Sequence, residues 1–182
     1  PEGIYPGYPQ PGGDPFDAER AKQLLAEAGY ADADGTYDPE TFPIGEVELT
    51  YNTSEANRQV AEFVQAQWKQ NLGLTVPLKN MEWKTFLVTR AELDYKGIGR
   101  AGWVGDYMDP YSFLNLFYTK GGDNGTGWWD PEFVRLLDEA NRTLDSSVRY
   151  QLLAQAEAYM LEAQPVIPLD TAATNWMKKP YV

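Results

Sequence analysis

The sequence predicts an α/β fold in which a small mixed sheet with flanking helices is followed by a helical C-terminal half. Three observations carry this. "EVELTYN" alternates apolar and polar residues, "SEANRQVAEFVQAQWKQNLG" carries a helical period, and "LTVPLKN" alternates again. Strand, helix, strand in that order implies a parallel pair joined by a right-handed crossover. Further on, Asp109-Pro110 and Asp130-Pro131 are two pairs of capping acid plus first-turn proline, each opening a helix.

In chain order, "PEGIYPGYPQPGG" (residues 1–13) is rich in proline and glycine and reads as a linker or surface loop. "DAERAKQLLAEAG" begins a helix with Asp17 as cap and Glu19 in the first turn. Ala21, Leu24, Leu25 and Ala28 form its apolar stripe, and Gly29 stops it. "ADADGTYDPETFPIG" is a loop. In "EVELTYN" the residues Val47, Leu49 and Tyr51 share one face. The helix after it places Val60, Val64, Trp68 and Leu72 at i+4 spacing and ends at Gly73. "LTVPLKN" alternates through Leu74, Val76 and Leu78, and Pro77 removes a ladder donor, which marks an edge or irregular strand. "EWKTFLVTRA" is a short helix and "DYKGIGRAGW" a glycine-interrupted strand.

The helix "PEFVRLLDEANR" turns Phe133, Leu136, Leu137 and Ala140 inward. A last helix, "SSVRYQLLAQAEAYMLEA", turns in Leu152, Leu153, Ala156 and Met160, and Pro165 halts it. "PVIPLD" reads as a short buried strand, and "KKPYV" closes without a structural signal. Residues 14–182 make a single α/β lobe behind the linker.

With 182 residues, 43% of them apolar, the chain is long enough for one core and has no apolar run near the ~20 residues of a membrane helix. A soluble piece is expected. The formal charge of −12 argues against nucleic acid or an anionic membrane surface as partner, since both are bound by basic patches. Cysteine and histidine are both absent, which excludes thiol catalysis, disulfides and histidine-based acid–base schemes within this chain. No cofactor or metal motif is present. Opening on Pro1, with neither an initiator methionine nor a secretion leader, the sequence reads as part of a longer one.

One segment concentrates chemistry. "RAGWVGDYMDPYSFL", Arg100 to Leu114, sets a cation, aromatics and acids where a strand ends. Asp109 is accounted for as a helix cap. Asp106 lies three residues too early for that role. It is either a solvated turn carboxylate or an acceptor for a ligand amino group. Trp103 and Tyr107 are either core and rim residues or the walls of a groove, and ligands of open α/β sheets lie at strand carboxyl ends. Arg100 is either a surface cation or a partner for a ligand carboxylate. Together these residues describe a site for a zwitterion.

The same stretch resembles the signature segment of extracytoplasmic solute-binding proteins of peptide ABC transporters, the oligopeptide-binding protein family. "FDAERAKQLLAEAGY", "LTYNTSEANRQVAEFVQAQWKQNLGLTV", "KNMEWKTF" and "AQAEAYMLEAQPVIPL" followed by "KKPYV" stand in the family's order, so the likeness runs through nearly all of residues 14–182. The resemblance implies one lobe of a two-lobed periplasmic-binding-protein-like fold that closes over a peptide, with the second lobe of the same chain missing here. It implies that Asp106 holds the peptide's α-amino group, that Arg100 neutralises its carboxylate, and that Trp103 and Tyr107 line the pocket. Val104 and Gly105 fall where backbone runs alongside the ligand main chain. Arg90, in "TRAE", resembles a second ligand-side arginine, with a spacing to Arg100 that differs by one residue. The implied partners are a peptide and ABC transporter permease subunits, the implied location is extracytoplasmic, whether periplasmic or anchored at the cell surface, and the implied role is not enzymatic. The same scaffold also serves dipeptides, sugars or metal chelates. A module that binds transporter subunits without a ligand is another reading. An acid-catalysed glycoside hydrolase is the rival from a different class, with Asp106 and Asp109 as its carboxyl pair.

Overall fold

The computed structural model describes residues 3–42, 44–171 and 177–179. Two compact units emerge, each assembled from more than one stretch of chain. One holds Asp14–Asp106 and Thr119–Trp129, the other Pro1–Gly13, Tyr107–Tyr118 and Asp130–Val182.

The first unit carries the sheet. Its elements are α1 (Ala18–Glu27), β1 (Glu48–Asn52), α2 (Glu55–Leu72), β2 (Leu78–Met81), α3 (Trp83–Ala91) and β3 (Gly97–Gly99). Asp17 caps α1 by accepting the Arg20 N–H at 2.9 Å. The strand order is β2-β1-β3, and β1 pairs parallel with both neighbours. The expected mixed sheet is therefore a parallel one among the described strands, and the antiparallel pairing seen is an isolated bridge between Ala31 and Tyr37.

As the central strand, β1 buries Leu49, Thr50 and Tyr51 in succession. A parallel strand covered on both faces loses the one-sided alternation that its sequence first suggests. Pro77 stands immediately before the edge strand β2, and its carbonyl accepts the Leu49 N–H at 2.8 Å. β3 needs its glycine: Gly97 has φ +80°, and a Cβ there would come within 2.8 Å of Val47 Cγ1.

The core of this unit is Leu49, Tyr51, Ala61 and Val76, with Trp68, Leu78 and Ile98 packed against it. On α2 the inward stripe is Ala61, Val64 and Trp68, whereas Val60 is 44% exposed. Strict i+4 spacing drifts by about 40° per step around a helix of 3.6 residues per turn, so a row of four cannot stay on one line. The stripe on α1 is thinner than expected, with Ala21 and Leu25 half-buried and Leu24 exposed.

The second unit is helical: α4 (Tyr111–Leu114) with a 3-10 turn behind it, α5 (Pro131–Arg142) and α6 (Ser146–Ala163). Asp130 caps α5 through the Glu132 and Phe133 N–H groups at 2.8 and 3.2 Å. Phe133, Leu136, Leu137 and Ala140 are all buried, as the period of α5 predicts. They meet Leu153, Ala154, Ala156 and Met160 of α6. Leu152 is only half-covered, and Ala154 replaces it in the core.

"PVIPLD" forms no strand, and Ile167 is 66% exposed. Pro165 and Pro168 each delete a backbone donor, so the run cannot make a regular ladder. Of the closing "KKPYV", residues 180–182 lie outside the described ones. Residues 3–13 form neither helix nor strand, and Tyr5 is buried. Tyr8 donates its hydroxyl to Glu157 of α6 at 2.5 Å, and its ring stands edge-on to Tyr150 with centroids 5.5 Å apart.

Asp109 has the structural role expected of it, and a second one. Its Oδ1 accepts the Tyr111 N–H at 2.9 Å, holding the start of α4. Both carboxylate oxygens are also gripped by Arg149, at 2.6 and 2.9 Å. Asp109→Ala should therefore cost about 1.5–3 kcal/mol, the range for hydrogen bonds to charged groups. Asp109→Ser should recover only part of that, because serine can cap but cannot pair with the guanidinium. Urea denaturation checks both, and an alanine variant as stable as wild type would sink this account.

Candidate functional site

The predicted ligand segment begins where β3 ends. Arg100 donates its N–H to the Thr50 carbonyl at 2.8 Å, one residue beyond the strand. From there the backbone runs through Gly105 as neither helix nor strand. In a parallel sheet the chain leaves every strand at the same edge, so residues 100–106 start from the sheet's carboxyl edge, where such folds place ligands.

Trp103 is half-buried, Val104 is 84% exposed and Gly105 is half-buried again. This in–out–in rhythm presents alternate residues to an open face. Asp106, exposed, ends one stretch of the first unit, and Tyr107 begins one stretch of the second. Tyr107 is 51% and Met108 76% exposed. The guanidinium of Arg100 lies beside Gly102, its Nη2 3.6 Å from where a Cβ of that residue would stand.

Arg90 sits in the last turn of α3. Its side chain lies across Gly125, so that a Cβ added there would be 2.7 Å from Arg90 Cγ. Arg100 thus belongs to the sheet's carboxyl edge, and Arg90 to the far end of the helix that starts there.

Two features of this unit went unread in the sequence. Trp83 and Leu87 stand at i and i+4 on α3, both exposed, with Arg90 at i+7 on the same face. The signal was present: α3 is apolar on more than one side, and Phe86 alone satisfies the core among its large side chains. The other feature is the loop "TKGGDNGTGWW", organised by the buried Asn124. Its amide donates to the carbonyls of Thr119 and Trp128 at 2.7 and 2.8 Å and accepts from the Thr126 hydroxyl at 2.8 Å. Tyr95 fixes the same loop by donating to the Gly125 carbonyl at 2.7 Å, and burial raises the pKa of that phenol.

The segment offers a carboxylate, a guanidinium and one aromatic side chain, Trp103, within seven residues, Arg100 to Asp106. Among the described residues no group of three or more acids could hold a metal ion, and no helix is long and apolar enough to cross a membrane.

The chain is similar to several known proteins. Residues 1–125 match the family described as bacterial extracellular solute-binding proteins, family 5, middle region. The chain is 41% identical over 163 residues to the oligopeptide-binding protein OppA of Bacillus subtilis, covering 89% of this chain and 29% of that protein. It is 37% identical over 165 residues to the periplasmic oligopeptide-binding protein OppA of Salmonella typhimurium, covering 90% and 28%. The solved murein tripeptide binding protein MppA of Escherichia coli superposes with a TM-score of 0.75 at 29% identity, covering 90% of this chain and 31% of that one. This chain spans about three-tenths of the length of the curated relatives it matches. It belongs to family 5 of the bacterial extracellular solute-binding proteins.

Proposed function

We propose that this chain forms one wall of a peptide-binding cleft in an extracytoplasmic receptor, which closes a second lobe over its ligand and hands it to the permease subunits of an ABC transporter. The observation that carries this is the run Arg100–Asp106, leaving the carboxyl edge of a parallel sheet with charge of both signs and exposed main chain. In this reading Asp106 accepts hydrogen bonds from the ligand's α-amino group and Arg100 meets its carboxylate. Trp103 and Tyr107 wall the pocket, Val104 and Gly105 run beside the peptide backbone, and Arg90 offers a further cation. Residues 14–182 then represent one lobe, and residues 1–13 lead into it.

A hydrolytic role fits less well. A glycosidase needs two carboxyl groups available to the sugar, and both oxygens of Asp109 are engaged by Arg149. Binding without catalysis is the better account.

Mass spectrometry of whatever co-purifies with the full-length receptor tests the proposal. The expected result is a mixture of short peptides with unmodified amino termini. Recovery of a sugar or a metal chelate alone would overturn it.

A further inference from the structure

We propose that the pair Asn124-Gly125 is a deamidation site held intact by the loop around it, and that its conversion to an acid leaves residues 119–129 unable to close again. The pair is the only Asn-Gly step in the sequence. Asparagine followed by glycine is chemically weak, because no side chain on the second residue hinders its backbone nitrogen from reaching the asparagine carboxamide. Here the structure requires both residues. The Asn124 amide, 3% exposed, donates to the carbonyls of Thr119 and Trp128 at 2.7 and 2.8 Å. Its oxygen accepts the Thr126 hydroxyl and N–H at 2.8 and 3.2 Å. A carboxylate in its place would have no donor for the two carbonyls. At position 125 a Cβ would stand 2.7 Å from Arg90 Cγ and 2.9 Å from Cδ, so anything larger than glycine pushes that side chain aside. The fold thus keeps a labile pair that it cannot readily exchange.

The reaction needs nothing but water. The Gly125 nitrogen attacks Asn124 Cγ, its proton leaves with the side-chain nitrogen as ammonia, and a cyclic imide closes. Water then opens either carbonyl of that ring, giving aspartate or isoaspartate at position 124. In the folded loop the first step is blocked twice. The Asn124 side chain is fixed by its hydrogen bonds, and the Gly125 N–H is turned toward the Asp123 carbonyl, to which it donates at 2.9 Å. The loop is itself tied down: Tyr95 donates to the Gly125 carbonyl at 2.7 Å, and Leu93 Cδ1 lies 2.7 Å from where a Cβ of Gly127 would stand. Conversion therefore waits on local opening. Once it has occurred, aspartate sets a buried charge against the carbonyls of Thr119 and Trp128 and leaves them without donors. Isoaspartate also lengthens the main chain by a methylene, which moves Gly125 away from Tyr95. The loop then stays open, and the fraction converted records how often it has opened.

The test incubates the full-length receptor in mildly alkaline buffer, once folded and once in urea that unfolds it. Mass spectrometry of the tryptic peptide of residues 121–135 follows the change from amide to acid. Conversion should be at least about ten-fold slower in the folded protein, since the reactive form is the minor, opened one. Tyr95→Phe keeps the ring but removes one tether of the loop. It should speed the folded rate by about five-fold, the factor that one net hydrogen bond is worth, and leave the rate in urea alone. Folded wild type converting as fast as the unfolded chain, or a folded Tyr95→Phe rate at the wild-type value, overturns the protection. No conversion in urea overturns the site itself. For the consequence, Asn124→Asp should open the Lys120–Gly121 bond of the folded protein to trypsin. Wild type deamidated in solution and separated by anion exchange serves if that variant does not fold. A bond as resistant as in the unconverted wild type overturns the statement that the loop stays open.

Discussion

Titrated with mixed tri- to pentapeptides, the 182-residue chain alone is expected to show dissociation constants of about a millimolar or weaker, roughly −4 kcal/mol or less favourable. The reason is exposure. Val104, Tyr107 and Met108 face open surroundings, and Asp106 is exposed as well. On such a face water competes for each hydrogen bond and salt screens the carboxylate. Enclosure between two lobes is what buries a ligand's surface and strips water from its charged ends. One wall retains the chemistry without that enclosure. Isothermal calorimetry on the purified chain decides the matter. Micromolar binding would mean that the whole site lies within these residues, and the two-lobe reading would be abandoned.

In the full-length receptor, Asp106→Asn should weaken binding of peptides with an unmodified amino terminus by about 1.5–3 kcal/mol, or roughly ten- to more than a hundred-fold. Asparagine keeps the shape and one acceptor oxygen but removes the charge that an ammonium group would meet. Peptides with an acetylated amino terminus carry no such charge and should lose far less. The comparison isolates the role, since a general disturbance of the turn would weaken both ligand types by the same factor. Equal losses would remove Asp106 from its assigned place. The residue beside it in the same turn gives the contrast: Asp109 is engaged by Arg149 and the Tyr111 N–H, and its loss should be felt in stability.

Local chemistry made most of the fold legible. Asp17 and Asp130 cap where the sequence places caps, and the α5 period names its four buried residues without error. What escaped the sequence depends on neighbours. Whether β1 is buried on one face or two is decided by strands paired on both of its edges, not by Leu49 and Tyr51 themselves. "PVIPLD" has the hydropathy of a strand, but its prolines deny it the ladder. In the candidate site, Arg100, Trp103, Asp106 and Tyr107 can be nominated from the sequence because they fall in one segment. The Arg149 clamp is not, because forty residues separate it from Asp109 and no short pattern records a pair across that distance. Asn124 escaped for a different reason: a buried amide inside a glycine-rich run looks like any polar loop residue until its carbonyl partners are known.

The link between Tyr8 and Glu157 spans 149 positions of sequence, and this shapes the order in which the chain can acquire its structure. Emerging from the ribosome, Asp14–Asp106 holds all three described strands, β1, β2 and β3. Tyr8 is made before α6 and must wait for that helix before it has its acceptor. The apolar side of α5 waits too, with Phe133, Leu136 and Leu137 uncovered until Leu153 and Ala156 are made. Contacts this distant in sequence close large loops and form late. Synthesis therefore passes through a stage with the three described strands made and the helical unit unfinished, and over that interval the apolar face of α5 needs shielding from other chains.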